Sequence, residues 1–186
     1  PKIKFHSLKK SIIFNSQRAL NSFDLLTLER DKNSYLLASG CGVCCFPGQV
    51  KILTYSGKEK PIKNIRIGDK ILSYDILENE LKDNLVEKIL INENYDKGII
   101  VVNNMLLISF NHPIYVEDER IWKPAKDLSI GNIIINKKLE RIKIKSIEIK
   151  KEGEKILLFN LHLKKNPRNF FANSILVHNS YSHDFS

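Results

Sequence analysis

No hydrophobic run in this chain of 186 residues approaches the ~20 residues that carry a helix across a bilayer. The longest apolar stretches are broken by Lys or Asn within a few positions, so no membrane partner is expected. Glycine (8) and proline (6) are too scarce for a collagen-like or low-complexity chain. A hydrophobic content of 42% exceeds what a disordered chain carries. The chain opens Pro1-Lys-Ile-Lys-Phe-His, without Met, an apolar h-region or a small-residue cleavage site. It therefore reads as a fragment without a signal peptide. Cysteine is confined to Cys41, Cys44 and Cys45, and an odd, clustered set is no disulfide framework. That pattern suggests a reducing compartment, intracellular and cytoplasmic. It leaves a metal site, a redox Cys-Gly-Val-Cys or one reactive thiol as the alternatives.

What the chain has in excess is positive charge, formally +9, most of it Lys. In Arg141-Ile-Lys-Ile-Lys-Ser-Ile-Glu-Ile-Lys the charges alternate with Ile, the pattern of a strand with one wet face. Solvated strand faces explain the charge better than a nucleic-acid surface, so no nucleic-acid partner is expected. From Gln49 onward short Ile/Val/Leu-rich segments follow one another between turn residues. They are Val50–Tyr55, Lys70–Tyr74, Val86–Ile91, Ile99–Val102, Met105–Ser109, Ile114–Val116, Ile133–Ile135, Arg141–Lys150 and Lys155–Leu163. Such density predicts an all-β fold, a folded ribbon or barrel-like sheet. Residues 1–44 differ. Ser16 could cap a helix carrying Leu20, Phe23 and Leu26, and so short a segment reads as part of something larger.

One internal repeat stands out. Pro61-Ile-Lys-Asn-Ile-Arg-Ile-Gly68-Asp69-Lys-Ile-Leu72 aligns without a gap onto Pro124-Ala-Lys-Asp-Leu-Ser-Ile-Gly131-Asn132-Ile-Ile-Ile135. Each copy suits a tight turn between apolar segments, Gly giving backbone freedom and Asp or Asn a local hydrogen bond. A two-fold related β domain follows.

Three clusters carry the chemistry: Cys44-Cys45-Phe46-Pro47-Gly48, Ser109-Phe110-Asn111-His112-Pro113, and Val177-His178-Asn179-Ser180. Together they resemble the splicing motifs of inteins, within the hedgehog/intein (Hint) superfamily. Cys45 matches the first intein residue, and Ser109-x-x-His112 the internal Thr-x-x-His, with Ser for Thr. His178-Asn179 followed by Ser180 matches the terminal pair and the first downstream residue. The resemblance implies a pseudo-two-fold, horseshoe-shaped Hint β fold with a partly helical or extended N-terminal flank. It divides the chain into an N-terminal flank at 1–44, a splicing domain at 45–179 and a C-terminal flank at 180–186. That size leaves no room for an inserted endonuclease, as in a mini-intein.

Each residue type suits its step. The Cys45 thiol can attack the Cys44 carbonyl, and a thiol does so better than a hydroxyl near neutral pH. The departing Cys45 amine needs a proton, which an imidazole near its own pKa can give; His112 is the candidate, with Ser109 and Asn111 hydrogen-bonding the scissile unit or its oxyanion. Ser180 Oγ would take the acyl group. The Asn179 side chain would close on its own carbonyl as a succinimide, a proximity-assisted ring closure, with His178 polarising that carbonyl or protonating the Ser180 amine. The flanks, as intramolecular substrate, would then be ligated in a single turnover by a monomer. No step needs a cofactor or metal, and bound zinc would block Cys45. Inteins often carry an Asp and a His before the terminal motif. Here Asn160 and Arg168 stand near those places, Asn160 one residue out of register, with His162 nearby; Asn160 and His162 are weaker catalytic candidates, and an edge-of-core role suits them better. Two alternatives are self-cleavage without ligation, and a basic β-module binding metal or nucleic acid through its cysteines.

Overall fold

A computed structural model describes residues 24–30, 33–39, 44–95, 98–151 and 156–179, with backbone alone for the first two segments and for 93–95. Among these residues there are strands and two short 3-10 turns but no α-helix, as the alternating Ile/Lys pattern requires. Among the described residues no helix is long and apolar enough to cross a membrane.

The repeat is the frame of the fold. In each copy a proline leads into a 3-10 turn, Ile62–Asn64 after Pro61 and Ala125–Asp127 after Pro124, with near-identical proline angles (φ −52, ψ 137 and φ −55, ψ 142). Gly68 and Gly131 follow with φ of +86 and +103, a backbone region that favours glycine. Asp69 and Asn132 then close the same loop with their side chains, accepting the Arg66 N–H at 2.8 Å and the Ser129 N–H at 2.9 Å. The correspondence extends outward. Val50 accepts from the Ile62 N–H at 2.8 Å, and His112 from the Ala125 N–H at 2.9 Å. The strand Lys51–Leu53 pairs with Glu59–Pro61 as Pro113–Val116 pairs with Ile121–Pro124.

The hairpin Asn169–Ala172/Ile175–His178 lies between the halves. Its first strand joins Lys51–Leu53 through Ala172 and Ile52, its second joins Pro113–Val116 through Val177 and Ile114. All four residues of Asn169–Ala172 are buried, because this strand is covered on both faces. The main core gathers Val50, Ile52, Ile62, Ile65 and Phe46 from the first half with Ile114, Val116, Ala125 and Leu128 from the second, and Phe170 from the hairpin.

A second sheet is built on the long strand Glu80–Tyr95, which pairs with Lys70–Asp75 and with Ile156–Leu163; the latter holds Phe46–Pro47 on its far side. Ile147–Lys150, Ile99–Val102 and Leu106–Ile108 form the equivalent layer of the other half. The expected strand Arg141–Lys150 divides into Arg141–Lys143 and Ile147–Lys150. The break occurs where the Lys145 and Ser146 amides turn to Asn103 Oδ1 instead of a neighbouring strand.

The helix expected over Leu20, Phe23 and Leu26 is corrected at Leu26, which lies in the strand Asp24–Arg30; Ser16, Leu20 and Phe23 fall outside the described residues. This strand pairs with Asn33–Ser39, which runs parallel to Glu80–Tyr95 through Tyr35/Ile89, Leu36/Leu90 and Leu37/Ile91. Sheet pairing overrides the helical spacing. The flank is thus extended here.

Candidate active site

Cys45 precedes the short strand Phe46–Pro47 and is buried among Ile99 and Leu158. Its N–H, the amide of the Cys44–Cys45 bond, donates to Ser109 Oγ at 2.8 Å, and its carbonyl accepts from the Ser109 N–H at 3.0 Å. Ser109 therefore clasps the junction from the start of the turn that leads into Pro113–Val116. On the other side of the same peptide, Asn160 Nδ2 donates to the Cys44 carbonyl oxygen. Both polar groups of the peptide bond are held, so its plane is fixed. Asn111 engages through its backbone: its carbonyl accepts from Cys44 Sγ at 3.2 Å.

His112 is fully buried, its ring against Phe46 with centroids 4.2 Å apart. Nε2 lies 2.8 Å from the His178 carbonyl oxygen. A carbonyl only accepts, so the ring carries its proton on Nε2 and presents a bare lone pair at Nδ1. Nδ1 has no hydrogen-bond partner. The Cys44 backbone nonetheless lies near enough to favour a protonated ring. Burial outweighs that and brings the His112 pKa from 6.5 down to about 3. The ring is therefore neutral at physiological pH. That corrects the expectation of an imidazole titrating near its ordinary value: the cause is complete desolvation, which composition cannot reveal.

The thiols move the opposite way. Burial pushes Cys44 up to about 11. Burial, reinforced by the neighbouring Cys44, pushes Cys45 well above its ordinary value. Cys45 therefore rests as a thiol, with far less thiolate than a free cysteine.

The C-terminal end converges on the same place. The strand Ile175–His178 is registered so that Val177 faces Ile114, two residues after His112. His178 Nδ1 lies 2.8 Å from the Asn179 carbonyl oxygen and must donate to it. Trp122 meets the His178 ring edge-on, 5.0 Å between centroids at 78°. Burial lowers the His178 pKa, with Arg168 contributing in the same direction. Asn179 is fully buried, and its N–H donates to the Arg168 carbonyl at 2.8 Å. Ser180 and Cys41 lie outside the described residues.

Of the expected residues, Cys44, Cys45, Ser109, Asn111 and His112 are brought together at one junction, and His178 and Asn179 are joined to them through His112. Asn160, expected at a core edge, is on the Cys44 carbonyl. His162, on the same strand, instead approaches Glu87, with Nε2 3.6 Å from Oε2. Trp122 was not singled out by sequence; its only signal was being the sole Trp, placed just before the Pro124 repeat anchor. Among the described residues no group of three His, Cys, Asp or Glu side chains could hold a metal ion.

Fold and site together define a Hint domain, the class of autocatalytic self-processing domains of the protein-splicing type. The chain belongs to the Pretoxin HINT domain family, which it matches over residues 51–180. Solved structures share the fold. An intein-like domain from Clostridium thermocellum superposes with a TM-score of 0.66 at 20% identity, covering 74% of this chain and 99% of that one. A DnaB intein from Synechocystis gives 0.63 at 22% identity, covering 75% and 100%. An intein from a hyperthermophile gives 0.62 at 20% identity, covering 74% and 100%. Comparison with curated protein sequences gives no match.

Proposed function

We propose that the domain excises itself by protein splicing, with its own flanks as substrate and no endonuclease activity. The observation that carries this reading is the position of His112: one buried imidazole lies beside the Cys44–Cys45 peptide and also donates to the carbonyl of His178, next to the terminal Asn179. A single residue thus lies beside the first junction and contacts the peptide just before Asn179.

The steps follow from the geometry. Cys45 Sγ attacks the Cys44 carbonyl carbon, and the neutral His112 Nδ1 is the base that takes the thiol proton and returns it to the departing Cys45 amine. Because Cys45 is held as a thiol, transfer to His112 is coupled to attack. Ser109 Oγ, which accepts the scissile N–H, fixes the amide against rotation, and Asn111 holds Cys44. Acyl transfer to Ser180 Oγ gives a branched ester. Asn179 Nδ2 then attacks its own carbonyl carbon, polarised by His178 Nδ1–H, and the succinimide releases Ser180, whose amine takes the acyl group. Each molecule reacts once. A reduced Cys45 is required, which fits a reducing compartment, and the domain acts as a monomer.

A second reading is cleavage without ligation. It is favoured by the family description, a pretoxin domain, and by the likeness to an intein-like domain. Incubation of the full chain followed by intact mass separates the outcomes. Splicing yields a 45–179 fragment and a peptide joining 1–44 to 180–186. Cleavage alone yields free flanks, and an unchanged mass after prolonged incubation with thiol defeats both. Cys45→Ala abolishes the N-terminal step, and Asn179→Ala retains the C-terminal bond.

A further inference from the structure

Asn160 stands where the resemblance to inteins suggested a lost Asp, hence a weakened site. Its surroundings argue for a gain. The side chain is 1% exposed. Its Oδ1 accepts the Leu161 N–H at 2.7 Å, which fixes the amide so that Nδ2 faces Cys44, where it donates to the carbonyl oxygen. A carboxylate in this orientation would set acceptor against acceptor and oppose any negative charge growing on that oxygen. The other half of the fold supplies a control. Phe46 pairs with Phe159 as Ile108 pairs with Ile100, so Val101 holds the place equivalent to Asn160, and the peptide between Leu106 and Leu107 holds the place of the Cys44–Cys45 bond. The Cys44 carbonyl is met by a buried amide, whereas the equivalent register position in the other half is held by an aliphatic residue.

We propose that Asn160 is a catalytic residue of the N-terminal step, donating its Nδ2–H to the oxyanion formed on Cys44. The proposal rests on the splicing reading above. As Cys45 Sγ bonds to the Cys44 carbon, the C=O electron pair moves onto the oxygen that Asn160 already touches. Collapse re-forms the carbonyl, breaks the C–N bond and sends its electrons to nitrogen, which receives the proton the thiol gave up. The net change is an isomerisation of amide to thioester, with no co-reactant. A donor in place before attack needs no reorganisation as charge develops, the condition under which such groups act most strongly. Titratable groups near Asn160 include Cys44 and Cys45 across the junction, His112 beside it, and His162 with Glu87 and Lys88 on the paired strands. All are shared by parent and variants, so each variant is read as a ratio to the parent.

The test follows dithiothreitol-induced release of residues 1–44 by intact mass, in full-length chains carrying Asn179→Ala, from about pH 5 to about pH 9. Asn160→Ala is expected to slow release about 10²-fold at every pH. Asn160→Asp is expected to slow it at least as much near neutral pH and to recover as pH falls, because a protonated carboxyl donates again. C-terminal cleavage at Asn179, followed in the same variants without the Asn179 change, verifies that they fold. A rate for Asn160→Asp equal to or above the parent near neutral pH overturns the proposal. So does an Asp variant whose pH profile parallels the Ala variant, since a merely structural amide would behave that way. No release from the parent chain itself would instead overturn the splicing reading, and the proposal with it.

Discussion

The two halves of the domain share a backbone frame and differ in the side chains it carries. In the first half, Val50 accepts the amide that follows Pro61; in the second, His112 accepts the amide that follows Pro124. Cys45 corresponds to Leu107, and Asn160 to Val101. The frame tolerates these exchanges because its geometry resides in main-chain hydrogen bonds, two prolines and two left-handed glycines, none of which consults the side chain at the exchanged positions. The proposed reactive junction lies where the halves meet: Cys45 and Ser109, one from each half, bond reciprocally. On the proposed splicing reading, three buried polar residues placed around a duplicated apolar scaffold make one peptide bond scissile.

The sharpest way to break that contrast is to make the second half like the first. His112→Val should be accommodated, since Val50 is fully buried in the equivalent place. It leaves the His178 carbonyl without its donor, at about 1–3 kcal/mol. Thioester formation should fall by roughly 10²–10⁴-fold, the usual contribution of a general acid–base group. Thiol-induced release measured by mass would check it; a variant releasing residues 1–44 at the parental rate would remove His112 from the N-terminal step.

The same pair predicts how stability depends on pH. The His112 pKa is about 3 when folded, against an ordinary 6.5, so the unfolded chain binds a proton that the folded chain refuses. Stability is then complete above about pH 6.5 and is lost as pH falls toward 3. His178, also lowered by burial, contributes with the same sign. The lowered carboxyls Glu59, Asp75 and Asp118 act in a more acidic window. Between about pH 4 and 6.5 the urea midpoint should therefore drop in the parent and drop much less in His112→Val. Equal slopes would mean that the ring is solvated.

A third contrast concerns Trp122, whose place in the first half is held by Glu59. Glu59 pairs with Lys137; Trp122 packs on His178. An edge-to-face contact is worth about 0.5–1.5 kcal/mol. Trp122→Leu should accordingly slow C-terminal cleavage roughly three- to tenfold and leave thiol-induced N-terminal release unchanged. Equal slowing at both ends would show a general loss of packing.

Sequence reading reached the repeat because its anchors, Pro61/Pro124 and Gly68/Gly131, encode backbone angles directly. It also singled out Cys45, His112, His178 and Asn179, whose order along the chain matches the order of the proposed steps. It missed the strands Glu59–Pro61 and Ile121–Pro124, each ending in a proline that argues against strand. It missed Asn169–Ala172 because a strand buried on both faces lacks alternation. Asn160 and His162 were indistinguishable in sequence, two residues apart on one strand; only the path of Cys44 across that strand selects the first. The neutral state of His112 was likewise hidden, since it follows from burial by residues distant in the chain.

The smallest difference between the halves is Asp69 against Asn132. Asp69 receives Lys60 at 2.7 Å, with the side chains 36% and 29% exposed. In the other half Lys123 turns to Glu119, which also accepts from Asn132 Nδ2 at 2.8 Å. The bond that shapes the loop, from the Arg66 or Ser129 N–H, needs only an oxygen and is made equally by either side chain. Asp69→Asn should therefore keep the turn and lose a half-exposed ion pair worth about 0.2–1 kcal/mol, an effect that diminishes with salt. Asn132→Asp should cost more, because it sets a carboxylate against Glu119 and removes a donor. Denaturant midpoints of the two variants at low and high salt would test the order. If Asp69→Asn proved the more damaging, the charge rather than the loop hydrogen bond would be what holds the first turn.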